Sequence, residues 1–426
     1  MTQLPYQTPH LLPRIGRRLL TFGTLVVMLF SLLPVLLLFF GTTVPLVVAV
    51  LLLLLDIGLV VALVRLGSTP LTLTGTALGM LVVAVLAVAV SQQFATTPPI
   101  TDTDGNVVPG SIATLETVEL GGTQQWITIR GHSTDKPVLL FLAGGPGGSE
   151  LVMTRRYLSD LEQHFVVVNW DQPGTGKSYG AADFASLTPQ QFVADAHELT
   201  RYLCNRFDED KIYVLGESWG SILGILLVQQ YPDLFHAFIS TGQMVDPVEN
   251  DKLGYTFAMD LLEEQGRADE AERLRRNGPP PYTTEEVLSK FMAINGVLNG
   301  YMEAHAHGEG TGHNLLFDSL GAPEYGLLDK VNWVRGLVKV FTNVYPQLND
   351  LDFRTQAAEL DVPVYFIKGR WDVNAVNSLA EEYFALLDAP HKELIWFEDS
   401  AHTPLWDEPQ HFTEVLVLNV LADTQL

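Results

Sequence analysis

Apolar and polar positions divide the chain into two regimes that change near position 92. Leu19 to Phe40 runs for 22 positions without a charged residue, enough at about 1.5 Å per residue to cross a hydrocarbon layer of about 30 Å. A second apolar run, Val44 to Val64, is interrupted only by Asp56, and a third, from about Leu71 to Val90, follows the polar link Gly67 to Pro70. The pattern predicts about three transmembrane helices in a membrane anchor over residues 1–92. Three successive spans do not fit a cleaved signal peptide, which carries one shorter apolar stretch. Arg14, Arg17 and Arg18 precede the first span and Arg65 follows the second, so basic residues mark both flanks as cytoplasmic. An odd number of spans then places the remainder outside: a multi-pass cell-membrane protein, in contact with the lipid bilayer, with an extracytoplasmic globular part. Asp56 is expected to be protonated or to face a neighbouring helix, since no second charge lies within the spans and an ion pathway would need partners.

Residues 93–111, with Thr96, Thr97, Pro98, Pro99 and then TDTDGN, lack an apolar period and read as a linker. Beyond them the period changes. Short β-rich runs at Gln125 to Arg130, Pro137 to Leu142, Phe165 to Trp170, Lys211 to Leu215, Ala237 to Thr241, Val362 to Lys368 and Glu393 to Phe397 alternate with helical spacing, as in Pro189 to Cys204 and Ser221 to Gln230. Strands alternating with helices predict an α/β unit with a mostly parallel sheet covered on both faces, and such sheets hold their sites at the carboxyl ends of strands. The rhythm breaks between about Met244 and Leu360, where helical stretches such as LLEEQGRADEAERLRR occur without a convincing strand. The expected organisation is a core over 112–243, a helical cap over 244–360 and the rest of the core over 361–426.

Charge and cysteine content narrow the function classes. The 49 acidic residues outnumber 25 basic ones, for a formal charge of −24, and an acidic surface repels phosphate backbones, so nucleic acid is not an expected partner. The single cysteine, Cys204, leaves no internal disulfide and no Cys-rich zinc site.

The chemistry lies at strand ends. After KIYVLG comes Gly216, Glu217, Ser218, Trp219, Gly220, a G-x-S-x-G between a strand and a helix. Flanking glycines allow the tight turn that thrusts a serine hydroxyl over the sheet edge, whereas a chance Gly/Ser turn would need no such placement. A serine hydroxyl becomes a nucleophile only when a base removes its proton, and the base needs a carboxylate to hold its tautomer. Asp372 follows the strand VPVYFIKG and His402 follows ELIWFE, 154 positions after Ser218 and a further 30 on. The order Ser, Asp, His is that of the nucleophile-elbow hydrolases. Singly, Asp372 reads as a turn residue and His402 as a surface histidine; in register they read as a catalytic set. The glycine loop Gly144 to Ser149 follows the strand PVLLFLA and offers unencumbered backbone N–H groups, so those of Gly145 and Trp219 are the expected oxyanion donors.

In this order GGPGGS, DQPGTGKS, GESWGS, GRWD and DSAH resemble the motifs of proline iminopeptidases and related α/β-hydrolases, over about Val118 to Leu421. The resemblance implies the α/β-hydrolase fold, a Ser218, Asp372, His402 triad under a helical cap, and removal of an N-terminal residue, often proline, from short peptides. It departs at Ala143, where the family usually has His, and at Val376, where it often has Pro. Iminopeptidases hold the substrate's free amine on cap carboxylates, and Glu303 in YMEAHA is the candidate here. An esterase or amidase acting on small acyl substrates is the alternative within the class, and a non-catalytic binding module on the same fold is the alternative outside it. Epoxide hydrolases and dehalogenases place a carboxylate where Ser218 stands.

Two further patterns carry less. GTGKS at Gly174 to Ser178 mimics the end of a P-loop, but Asp171 occupies the place of its first glycine. Glu303, His305, His307, Glu309 and His313 include metal-ligand types, yet GEGTG within them reads as a polar lid loop. No metal or organic cofactor is expected for the proposed chemistry.

Overall fold

The computed structural model describes residues 11–282 and 286–424; expectations resting on the side chains of Arg14 and Arg17 fall outside them. It comprises two compact units, Met1–Thr96 with Leu320–Lys330, and Thr97–Ser319 with Val331–Leu426.

The first unit is built on α1 (Leu11–Leu37), α2 (Leu46–Leu66) and α3 (Pro70–Phe94). Within them Arg18–Leu37, Leu46–Leu66 and Pro70–Phe94 are apolar runs of 20, 21 and 25 residues, long enough to cross a membrane. Gly67, at φ +81°, ends α2, and Thr69 caps α3 by accepting the Thr72 N–H while Pro70 supplies the preset first turn. Ala49, Leu52, Val83 and Ala87 pack inward, whereas Leu51, Leu54 and Leu55 face outward, an apolar exterior that water would not tolerate. Asp56 is buried and neither carboxylate oxygen has a hydrogen-bond partner. The segment Leu320–Lys330, expected within the cap, packs in this unit. The Leu327 N–H donates to Ser91 Oγ at 2.9 Å, and Gln92 Nε2 donates to Asp329 Oδ1 at 2.7 Å.

The second unit holds an eight-stranded sheet: β1 (Ile112–Leu120), β2 (Thr123–Gly131), β3 (Val138–Leu142), β4 (Val166–Asp171), β5 (Ile212–Glu217), β6 (Phe235–Thr241), β7 (Val364–Gly369) and β8 (Lys392–Phe397). Its order is β1-β2-β4-β3-β5-β6-β7-β8, with β1 and β2 antiparallel at one edge and the other six strands parallel. The seven strands expected from the apolar runs are present within a few residues. β1 was not among them: its alternation is weak, and its signal is the Gly121, Gly122 turn into β2, both glycines having positive φ. In β3, Val138, Leu140 and Leu142 join the core on one face, and Leu139 and Phe141 join that on the other, the period-two division of a doubly covered strand.

Flanking helices are α4 (Leu151–Tyr157), α5 (Pro189–Phe207) and α6 (Trp219–Gln230). Between β6 and β7 lie α7 (Pro247–Glu264), α8 (Ala268–Asn277), α9 (Val287–His305), α10 (Leu315–Leu320), α11 (Leu327–Val344) and α12 (Phe353–Gln356), with no strand among the described residues, and α13 (Asn377–Leu386) joins β7 to β8. The linker is more ordered than its composition predicts: Asp102 Oδ1 accepts the N–H groups of Asp104 and Asn106, and Arg130 donates to Thr97 Oγ1 and the Pro98 carbonyl.

Candidate active site

β5 delivers Ser218 and α6 begins directly after it, so the chain reverses at one residue. Ser218 has φ +52° and ψ −111°, a conformation that costs a non-glycine residue about 1–3 kcal/mol and persists only where its surroundings enforce it. They do so by proximity: a Cβ on Gly216 would overlap the Gly220 carbonyl, and one on Gly220 the Leu142 carbonyl. The two motif glycines therefore serve close backbone approach. Ser218 opens onto a cavity of about 380 Å³, whose lining also includes His402, Gly144, Gly145 and Trp219.

Asp372 follows β7 and is buried. Its Oδ1 accepts the N–H groups of Asn374 and Ala375 at 3.0 and 2.9 Å, and its Oδ2 pairs with Lys368 Nζ at 2.7 Å. Burial pushes this carboxyl up, but Lys368 and His402 outweigh it and hold Asp372 well below the ordinary carboxylate range. His402 follows β8 and presents Nδ1 to both Asp372 oxygens, at 3.1 and 3.2 Å. Gly242, at φ +56°, makes room for the imidazole: a Cβ there would come within 2.8 Å of His402 Cε1. No hydrogen bond joins Ser218 Oγ to His402 among the described residues; the carboxylate nearest His402 Nε2 is Glu217, with Oε1 at 3.7 Å. The three expected side chains thus gather at the carboxyl ends of β5, β7 and β8, with the serine–imidazole contact open. Such contacts commonly tighten only in a substrate complex.

The glycine loop after β3 brings Gly145 to the same cavity, and its N–H makes no hydrogen bond within the described residues. Two side chains brace this region. Gln172 accepts from Trp219 Nε1 at 3.0 Å and donates to the Ala143 carbonyl at 3.4 Å; Asp171 accepts from Ser149 Oγ at 2.5 Å and from the Lys177 N–H at 2.8 Å. Gln172 thus ties the Ala143 backbone to the Trp219 indole.

Cap residues supply the opposite wall: Leu288, Phe291 and Met292 from α9, Trp333, Leu337 and Phe341 from α11. Phe341 stacks on Tyr345 with centroids 4.6 Å apart, and Phe291 lies 4.8 Å from Phe341. Glu303 is exposed and lines a neighbouring cavity with His313 and Asp407, which shares Asn299, His402 and Thr403 with the first but not Ser218. Of the polar cluster set aside, His305 bonds the Tyr301 carbonyl and packs on Trp371.

Sequence reasoning passed over Lys368, Gln172, Glu150 and Glu217. A lysine closing the otherwise apolar VYFIK of a buried strand is a signal for Lys368, since such a charge requires a partner; the others depend on tertiary contacts.

The sheet order, the turn at Ser218 and the cap over the strand ends define an α/β-hydrolase. The chain belongs to that family, whose alpha/beta hydrolase fold model matches residues 137–279. Over 309 residues it is 32% identical to the "Probable aminopeptidase YbaC" of Bacillus subtilis (strain 168), covering 72% of this chain and 96% of that protein. A proline iminopeptidase of Saccharolobus solfataricus is 24% identical over 290 residues, 65% of this chain and 83% of that one. The crystal structure of the proline iminopeptidase of Mycobacterium smegmatis shares the fold, with a TM-score of 0.53 at 18% identity, covering 73% of this chain and 99% of that one.

Proposed function

We propose that this protein is a membrane-anchored serine hydrolase that removes the N-terminal residue from short peptides through an acyl-enzyme. The observation that carries the reading is Ser218, held at positive φ in the cavity lined by His402, whose other ring nitrogen faces Asp372. His402 Nε2 takes the Ser218 proton as Oγ bonds to the substrate carbonyl carbon, and Asp372 stabilises the imidazolium that forms. The Gly145 and Trp219 N–H groups receive the oxyanion. Collapse breaks the C–N bond and His402 protonates the departing amine; water, deprotonated by the same nitrogen, then bonds to the acyl carbon, the bond to Ser218 Oγ breaks, and His402 returns the proton to Oγ as the acid leaves. The aromatic and aliphatic cap wall suits an apolar or cyclic first residue, and Glu303, in the adjoining cavity, is placed to meet more distant polar groups of the substrate. The same wall also accommodates the acyl part of a small ester, which makes esterase or amidase activity the second reading.

The relatives called aminopeptidase and proline iminopeptidase support the first reading. The three apolar helices and the basic residues flanking them support anchoring in the cell membrane with the hydrolase unit outside. The test uses the full chain in detergent micelles. A fluorophosphonate probe should label wild type and not Ser218→Ala, and aminoacyl arylamides should turn over. Failure of wild type to label would favour the binding module; turnover of short esters with proline and alanine arylamides untouched would favour the esterase. Protease shaving of sealed vesicles of known orientation tests the topology: cleavage of the hydrolase unit only from the cytoplasmic side would reverse it.

A further inference from the structure

Two buried carboxyl groups lie beside Ser218 and take no part in the steps above. Glu217 is the residue between Gly216 and Ser218, and Glu150 follows the glycine loop after β3; they are 3% and 5% exposed and both line the cavity. Their side chains are hydrogen-bonded to one another. Glu150 Oε2 also accepts the Gly144 N–H at 3.2 Å. The backbone is shaped around them, because a Cβ on Gly144 would overlap Glu217 Oε2. Burial, and for Glu217 the charges of Glu150 and Asp372, push both groups up, Glu150 to about 7. The pair therefore shares a proton at neutral pH and carries at most one negative charge. Among the described residues the other titratable groups on the cavity are His402 and Tyr345, and no lysine or arginine lines it. Asp372, nearby, has its own cation in Lys368.

We propose that Glu217 and Glu150 form the seat for the free amino group of the substrate's first residue. This rests on the aminopeptidase reading and gives that reading its charge recognition. An α-amino nitrogen is two bonds from its carbonyl carbon, about 2.5 Å by standard bond lengths. Once that carbon is bonded to Ser218 Oγ, the ammonium must lie within a few ångströms of the nucleophile. Glu217 is the residue adjoining Ser218, with Oε1 3.7 Å from His402 Nε2; Glu303 is exposed on the neighbouring cavity. An ammonium here meets a carboxylate in a water-poor site, where charge-assisted hydrogen bonds are strong. A substrate carboxylate would meet no fixed cation. The seat is part of the sheet's own elbow, so it sets the position of the amine relative to the attacked bond independently of the cap.

The test compares alanine p-nitroanilide with propionyl p-nitroanilide, which lacks only the amine, on the full chain in detergent micelles. Wild type is expected to prefer the alanine compound in kcat/KM. Glu217→Gln and Glu150→Gln singly each leave one carboxylate and should keep much of that preference, whereas in the double variant Glu150→Gln with Glu217→Gln, which removes the shared charge, it should fall by about tenfold or more, the scale of one lost charge-assisted hydrogen bond. In wild type the KM for the alanine compound alone should rise as pH falls through about 7, where the pair takes up its second proton. Wild-type preference for the amine with the ratio unchanged in the double variant, or with both substrates affected equally, overturns the seat and leaves the aminopeptidase reading standing. Turnover of the propionyl compound only, or of neither, overturns both. Should a variant fail to fold, a wild-type KM ratio flat between pH 6 and 8 overturns the seat by itself.

Discussion

Lys368→Met isolates the electrostatic support of the site. Lys368 and Asp372 have side chains 0% exposed, with Nζ 2.7 Å from Oδ2, and Nζ also donates to the Ala375 carbonyl at 2.7 Å. Methionine fills similar space without the charge, leaving a buried carboxylate with two backbone N–H donors and His402. Removing one partner of a buried ion pair costs about 3–5 kcal/mol; the remaining donors place the expectation near the lower end, about 3 kcal/mol. The pH dependence has a defined sign. Asp372 is depressed in the folded chain, so its stabilisation is complete above the unfolded carboxylate value of about 3.9 and is lost as pH falls through the folded value. Without Lys368, burial pushes the carboxyl upward and that contribution shrinks or reverses. The stability gap between the two proteins should therefore be full at neutral pH and narrow below about pH 4, where the unfolded carboxyl takes up its proton. Denaturant unfolding of the full chain in micelles, at neutral and acid pH, reads the gap, and fluorophosphonate labelling reads the orientation of His402. A variant within about 0.5 kcal/mol of wild type at neutral pH, the spread of ordinary surface changes, with an unchanged labelling rate, would refute the reasoning.

Three further perturbations follow from particular contacts. Gly220→Ala drives a Cβ into the Leu142 carbonyl, backbone against backbone, and should abolish folding of the hydrolase unit, seen as loss of protease resistance; a folded, labelling variant would show that the elbow has slack. Gln172→Leu removes the acceptor of the Trp219 Nε1–H and the donor to Ala143; about 1–3 kcal/mol of stability is expected to go with the orphaned indole N–H, together with slower labelling of Ser218. Deleting residues 1–96 strips Leu320–Lys330 of its bonds to Ser91 and Gln92, so limited proteolysis should cut there in the truncated protein and not in the full chain.

Strands β3 to β7 were legible because they are buried on both faces and so read as nearly continuous apolar runs, and the three N-terminal helices because each is a long apolar run. β1 escaped because it lies at the sheet edge, where Glu116 and Glu119 interrupt the apolar alternation. The cap boundary was drawn where the strand rhythm fails, and that rule cannot tell which helical residues pack with another unit; Leu320–Lys330 is marked by Ser91, Gln92 and Asp329, over 230 positions apart and polar.

Ser218, Asp372 and His402 were found from sequence because each stands in a fixed relation to a strand end, so local pattern and topology together locate it. Glu217 stands in the same relation, being part of the motif itself, yet its role was invisible. A glutamate in a tight turn is ordinarily a solvated residue, and only Glu150 and Gly144 turn it into a buried, proton-sharing group. The same holds for Lys368: its partner is four residues away, but the need for that partner arises from the six strands and two faces that exclude water around it. Chemistry-bearing residues that act through backbone position are thus readable from order and spacing, whereas those that act through a shifted charge require the enclosure that shifts it. Ser218 was in the first group and its electrostatic environment in the second, so the candidate site could be placed before the fold was known, and the proposed seat for the substrate's amine could not.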